Sequence, residues 1–348
     1  MTVITDEQRA LTDSVRGLLA RHAGPAAVRA AIDTGDGYDH KLWRLLCDQI
    51  GVAALAIPEE FGGVGAGLSE SHTVLAELGA VLAPTPMLGA VALATQAILA
   101  AGDDAACGRL LPDLAEGART AALCWAGRTG WAEPDVVADG SGTLTGTAEY
   151  VLDGEIAEVL IVIARTPDGL GLFEVVAGQD GVRREVIPGM DLTRRYTRVR
   201  FDGVAAGRLG TGDATAAVDR IRDIGWAALA AEQVGAAARC LELTVEYTKA
   251  RVQFGRPIGS FQALKHRMAD LYVQVEAARS ISAAATAALD AGSADARADV
   301  SAARRYCSET FSAVTAEMIQ LHGGIAITWE HDAHLYFKRA HADAHLLR

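Results

Sequence analysis

Three long helical runs near the C-terminus constrain this chain more than any other feature. Thr215 to Ala250, Phe261 to about Leu289 and Ser293 to Leu321 all keep helical periodicity, and they are long enough to pack as an antiparallel bundle. A shorter helix is expected over Trp329 to Arg348, which completes four. Half of the residues are hydrophobic but only 5% are aromatic, so the apolar content is mostly Ala, Leu and Val. Ala and Leu favour packed helices.

The connection between the first two runs reads Arg251-Val252-Gln253-Phe254-Gly255-Arg256-Pro257-Ile258-Gly259-Ser260-Phe261-Gln262. Gly255, Pro257 and Gly259 mark a compact turn. Arg251, Gln253 and Gln262 flank it, with Phe254 and Phe261 beside the glutamines. A planar, permanently charged guanidinium beside amide side chains suits a pyrophosphate and the hydroxyls near it. The same residues also suit a plain helix corner with solvated side chains, and Arg251 sits where a helix C-terminus stabilises a cation. The third run ends in Gln320-Leu321-His322-Gly323-Gly324-Ile325-Ala326. Paired glycines let a backbone approach a ligand closely, and they equally stop a helix.

At 348 residues the chain suits two or three domains. Helical patterning starts at Thr5, which can cap with Gln8, and places Leu11, Val15, Leu18 and Leu19 on one face. Gly24-Pro25 ends that helix. A second helix is predicted over Lys41 to Ile50, stopped by Gly51, a third over Ser69 to Gly79, and more from about Leu88 to Gly117. Val52 to Ile57 is a short apolar run, and Gly62 to Gly67 is a sharp connection whose spacing is wrong for a dinucleotide loop. Near Arg119 the pattern changes. Thr143, Thr145 and Thr147 alternate, and Val159 to Ala164 is a β-branched run of strand length. Arg183 to Ile187 and Thr197 to Phe201 are further strand candidates. The expected organisation is α+β and multidomain: a helical domain over 1–118, a β-domain over 119–212 and a helical bundle over 213–348.

A net charge of −12 and a pI near 5.2 argue against nucleic acid, whose binders present a basic face. Cys47, Cys107, Cys124, Cys240 and Cys307 are odd in number and widely spaced, which reads as reduced thiols of a cytoplasmic protein. Met1 to Ala20 carries early acidic residues and no uninterrupted apolar core, unlike a signal peptide. No window reaches the roughly 18 apolar residues of a membrane span. His341 and His345 have the i, i+4 spacing of a metal pair, but a solvated or interface face accounts for them and no metal is expected.

The Arg251–Gln262 and Gln320–Ala326 segments resemble two signature segments of the acyl-CoA dehydrogenase family of flavoproteins. Ile57-Pro58-Glu59-Glu60-Phe61-Gly62-Gly63 and Glu77-Leu78-Gly79 resemble its N-terminal domain, and Trp329-Glu330-His331-Asp332 resembles a common bacterial variant. With the helix–β–helix order, the resemblance covers essentially the whole chain. It implies the acyl-CoA dehydrogenase fold: N-terminal α-domain, middle β-domain and C-terminal four-helix bundle. It also implies FAD, which takes hydride from the β-carbon of an acyl-CoA substrate while a carboxylate removes the α-proton. By resemblance Arg251, Gln253, Phe254 and Gln262 contact the FAD of a neighbouring subunit. Gln320, Leu321, His322, Gly323 and Gly324 cover its adenosine side, with Ala326 departing from the family's third glycine.

Two further departures shape the expected function. Where the family has a Thr-Glu-Pro-x-Ala-Gly-Ser-Asp type of segment against the flavin, this chain has Ala121 to Trp131, with Glu133-Pro134 late. Glu149-Tyr150-Val151 stands where the family often places Trp-Ile-Thr. The family's catalytic glutamate takes one of two positions, which fall here at Gly225 and at about Leu347. The resemblance therefore implies the short subunit of a heteromeric enzyme, like those acting on steroid side chains, built as a dimer or tetramer. A homologous subunit would bring the base and most of the FAD, and electron-transfer flavoprotein or a similar acceptor would take the electrons. Two other readings stand beside it. One is an active homo-oligomer with a displaced base such as Glu232, Asp223 being the other nearby carboxylate. The other is a non-enzymatic acyl-CoA-binding scaffold. Gly225, Ala227 and Ala228 remove bulk from the helix that would line the acyl pocket, which suits a large acyl group and also close helix packing.

Overall fold

The computed structural model describes residues 5–348. Helices come first: α1 (Asp6–His22), α2 (Pro25–Ile32), α3 (His40–Ile50) and α4 (Leu68–Ala80), then a π-helical segment Met87–Thr95 running into α5 (Gln96–Ala100), and α6 (Asp104–Ala115). Strands follow as β1 (Ala121–Cys124), β2 (Val137–Ala138), β3 (Thr143–Leu152), β4 (Val159–Thr166), β5 (Gly169–Val176), β6 (Val182–Ile187), β7 (Tyr196–Ala205) and β8 (Gly207–Leu209). The chain closes with α7 (Thr215–Ala250), the short pair β9 (Val252–Gln253) and β10 (Arg256–Pro257), α8 (Gln262–Asp290), α9 (Ala296–His322) and α10 (Ala333–Asp343). The predicted α+β architecture is present, with helical N- and C-terminal regions and a sheet between them in the chain.

Local chemistry explains most of these boundaries. Thr5 and Gln8 form the expected capping box at α1. Asp39 caps α3 by accepting from the Leu42 N–H, and Gly51 closes it in the left-handed conformation. Pro25, read as a stop, is the first residue of α2, where its missing N–H costs nothing. The apolar run Val52 to Ile57 forms buried turns. The glycines after Phe61 serve a tight chain crossing: a Cβ on Gly63 would lie 1.9 Å from the Ile57 carbonyl oxygen. The last helix is shorter than predicted, because residues 328–332 form turns and bends before it and residues 344–347 form turns after it.

The chain groups into two compact units. One comprises Ala30–Ser71, Pro84–Gly225 and Leu347–Arg348 and contains the sheet. Among the described residues that sheet has eight strands, ordered β6-β7-β3-β2-β4-β5-β8, with β1 paired to β4. Pairing is antiparallel except where β1 and β2 meet β4. Leu160, Val162 and Ala164 of β4 enter a core with Phe173, Val175, Val199 and Phe201. The alternate residues Val159, Ile161 and Ile163 are buried too, which is why β4 reads as a continuous apolar run. The π-helical segment packs on β1 and β3. A register shift in β3 between Ala148 and Val151 marks a bulge, and Tyr150 there has φ +52°.

The other unit comprises the chain through Arg29, His72–Ala83 and Trp226–Leu346. Within it α8 packs on α9, and α9 on α10. α4 and α7 touch backbone to backbone: a Cβ on Gly235 would come within 1.8 Å of the Ala76 carbonyl oxygen. α7 has 36 residues.

Candidate functional site

The segment from Arg251 to Gln262 folds as a tight hairpin between α7 and α8. Arg256 pairs with Gln253 and Pro257 with Val252, leaving Phe254 and Gly255 as the two turn residues. Both have positive φ, +55° and +75°, as a type I′ turn requires. Glycine accepts that conformation freely, but a phenylalanine does so at a cost, and Phe254 is also 89% exposed. Its ring meets Phe261 edge to face at 6.1 Å, and the Arg256 guanidinium lies 4.0 Å over the Phe261 ring. Arg251, Gln253 and Gln262 are exposed, and Gln262 Nε2 is 3.0 Å from His266 Nε2.

The second predicted segment is tied to the same corner. Leu321 and His322 are buried, whereas Gln320, Gly323 and Gly324 are exposed. Gly323 adopts φ +66° and ψ −149°, a conformation essentially reserved for glycine. The connecting residue is Tyr247, which sequence reading passed over. Its hydroxyl donates to the His322 carbonyl oxygen at 3.2 Å, and its ring stacks on the His322 imidazole at 4.2 Å. A signal existed: Tyr247 precedes Arg251 by one helical turn and so shares its face. These two turns fit an extended anionic cofactor: exposed guanidinium and amide groups, an exposed aromatic ring and bare glycine backbone.

The two positions where the resemblance places a carboxylate come together in space. A Cβ on Gly225 would lie 2.7 Å from Leu93 Cδ2 and 2.9 Å from Leu347 Cδ1. Leu347 is 1% exposed and left-handed, at φ +58°. Here the chain thus offers an apolar contact among Leu93, Gly225 and Leu347. Asp223 is buried on the same helix. Glu232 lies elsewhere: its Oε1 accepts from Arg339 Nη1 at 2.9 Å, with the two side chains 8% and 3% exposed.

The Ala121–Trp131 segment is organised by its own aromatic side chains. After β1, Trp125 and Trp131 are both buried and pack edge to face at 5.7 Å. The Arg222 guanidinium sits 5.1 Å over the Trp125 ring. Glu149 is nearly buried and accepts from Arg198 Nε at 2.8 Å. The predicted histidine pair makes local contacts; His341 Nδ1 lies 3.0 Å from the Phe337 carbonyl oxygen and the two rings pack at 4.2 Å. The five cysteines are free and buried, and burial pushes the Cys47 and Cys307 thiols up to about 12. No helix among the described residues is long and apolar enough to cross a membrane.

Residues 5–118 match the acyl-CoA dehydrogenase N-terminal domain, and residues 223–348 match the acyl-CoA dehydrogenase C-terminal domain. The chain belongs to the acyl-CoA dehydrogenase family, whose members are FAD-dependent oxidoreductases. It is 47% identical over 342 residues to acyl-CoA dehydrogenase IpdE2 of Mycobacterium tuberculosis, covering 98% of this chain and 93% of that one. Its fold is similar to the ChsE4-ChsE5 complex from the same organism, with a TM-score of 0.91, 30% identity and coverage of 99% and 94%. It is equally similar to a variant of the steroid acyl-CoA dehydrogenase Tcur3481-Tcur3483, with a TM-score of 0.91, 32% identity and coverage of 98% and 94%.

Proposed function

We propose that this chain is the subunit without a catalytic carboxylate in a heteromeric, FAD-dependent acyl-CoA dehydrogenase. The observation that carries this reading is the apolar contact of Gly225, Leu347 and Leu93. Neither position that could supply a base holds a proton acceptor, and leucine side chains occupy the space beside Gly225. FAD, when bound, accepts the hydride from the β-carbon of the acyl thioester. This chain's part is to close over a cofactor held mostly by a homologous partner. Arg251, Gln253 and Gln262 offer charge and hydrogen bonds to its phosphates and hydroxyls, Phe254 an apolar face, and Gln320 to Gly324 a close backbone approach. An 89% exposed Phe254 held at positive φ supports a role outside this chain's own core. The Trp125–Trp131 pair under Arg222 supports the view that this chain's own middle segment does not seat a flavin ring.

In this reading the acyl group is a steroid thioester, since one structural relative is described as a steroid acyl-CoA dehydrogenase. The assembly is a dimer or tetramer with the homologous subunit, working in the cytoplasm and passing electrons to electron-transfer flavoprotein or a similar acceptor. The division at 118/119 and 212/213 belongs to the same proposal. Glu232 as a displaced base draws no support from its geometry, because Arg339 already holds it. A purely acyl-CoA-binding scaffold would leave the exposed Arg251 turn without a purpose.

The test is to express the chain alone and together with its homologous partner, and to measure FAD per subunit and acyl-CoA oxidation. The chain alone should hold little FAD and show no turnover, whereas the pair should hold fewer flavins than subunits and turn over. Stoichiometric FAD with turnover in the lone chain would overturn the proposal.

A further inference from the structure

We propose that Tyr247 is a positioning residue that fixes the Arg251 turn and the Gly323–Gly324 turn relative to each other. This rests on the reading that both turns face a cofactor. Tyr247 stands in the last turn of α7 and makes three separate ties. Its carbonyl oxygen accepts the Arg251 N–H at 2.8 Å, which holds the residue that opens the hairpin. Its hydroxyl donates to the His322 carbonyl oxygen at 3.2 Å, the last carbonyl before Gly323. Its ring stacks on the His322 imidazole at 4.2 Å, with the planes 24° apart. His331 then packs on His322 at 4.6 Å, so three rings form one cluster.

The neighbouring Thr248 anchors the other end of the hairpin. Its carbonyl oxygen and hydroxyl each lie 3.0 Å from the place a Gly259 Cβ would occupy, and its hydroxyl reaches the Met268 sulfur of α8 at 3.5 Å. Tyr247 thus ties both turns to the end of one helix, and Thr248 packs closely against Gly259 just beyond the hairpin. The turns cannot set that spacing themselves. Gly323 and Gly324 have no side chains to pack, and every residue from Arg251 to Pro257 is exposed. The imidazole of His322 is in turn oriented from below, where Nδ1–H donates to the Met318 carbonyl oxygen at 2.8 Å. Groups that grip one ligand from two segments must keep their separation to within a fraction of an ångström. The Tyr247 clasp supplies that constraint.

The experiment uses the assembled complex with the homologous partner and compares Tyr247→Phe, Tyr247→Leu and Arg251→Ala with the wild type. FAD release on dilution, read by flavin fluorescence, is measured beside the thermal melting of each complex. Tyr247→Phe keeps the stack and loses one hydrogen bond, so FAD retention should weaken about fivefold. Tyr247→Leu loses both and should weaken it at least about tenfold, with Phe the partial rescue. A merely structural tyrosine would lower the melting temperature but leave FAD affinity in the folded complex unchanged. If Arg251→Ala weakens retention and Tyr247→Leu does not, the clasp is wrong while the cofactor reading stands. If neither weakens it, the cofactor reading fails and the clasp with it. Should Tyr247→Leu not fold, the Tyr247→Phe comparison decides alone.

Discussion

The Glu232 carboxylate and the Arg339 guanidinium meet at 2.9 Å with almost no solvent around either. A buried pair of this kind adds little net stability over an apolar pair, yet removing one partner's charge weakens a hydrogen bond that solvent cannot replace. Glu232→Gln should therefore lower the free energy of unfolding by about 1–3 kcal/mol in a urea titration. A base would behave differently: the same substitution would leave stability near normal and abolish flavin reduction in the assembled enzyme. The sequence made Glu232 a candidate because it lies seven residues, two helical turns, beyond Gly225. What it could not show was Arg339, more than a hundred residues away in the chain.

At the scale of elements, α4 and α8 are joined by a buried histidine. His72 Nδ1 lies 2.9 Å from Thr286 Oγ1, and the Thr286 hydroxyl itself donates to the Ser282 carbonyl oxygen, so the imidazole is the donor to Thr286. Nε2 is buried without a hydrogen-bond partner among the described residues. Desolvation lowers the His72 pKa from 6.5 to about 4. Between those values the unfolded chain binds a proton that the folded chain refuses. The contribution of His72 to stability is thus complete above about pH 6.5 and is lost as the pH falls toward 4, amounting to about 3 kcal/mol. His322, His331 and His334 are lowered by burial as well and act in the same direction. Chemical denaturation at pH 7 and pH 5 should show the loss, and His72→Phe should shrink it. The elements themselves were unequally legible. α7, α8 and α9 stand within a few residues of prediction because long periodic runs are local signals. β5 was missed because Gly169 and Gly171 dilute its strand pattern, and β1 because four residues paired in parallel to β4 carry no alternation.

For the whole molecule, the question is whether a base could simply be put back. Gly225→Glu would drive its side chain into Leu93 and Leu347, and Leu347→Glu would bury a carboxylate beside Leu93. Both should destabilise the chain, and neither should give the isolated subunit acyl-CoA dehydrogenase turnover or raise its bound FAD. Turnover by either variant would mean that a complete flavin site already exists in this chain. The candidate site was legible where motifs are contiguous, as in Arg251 to Gln262 and Gln320 to Gly324. It was illegible where it depends on Leu93 or on the Tyr247 stack, because those partners are distant in sequence or carry no motif.

The sequence by itself determined the succession of helices, sheet and helices, the two glycine-bearing turns, and the identities of the residues at 225 and 347. Those properties are written within three or four residues, through periodicity, capping and backbone freedom, so reading along the chain recovers them. Only the tertiary structure decided that Gly225, Leu347 and Leu93 share one contact and that Glu232 belongs to Arg339. It also decided that Gly235 lies where α7 touches the backbone of α4. Each of these depends on which distant side chain occupies a given volume once the helices pack. Dense packing admits one occupant per space, and no local pattern names it.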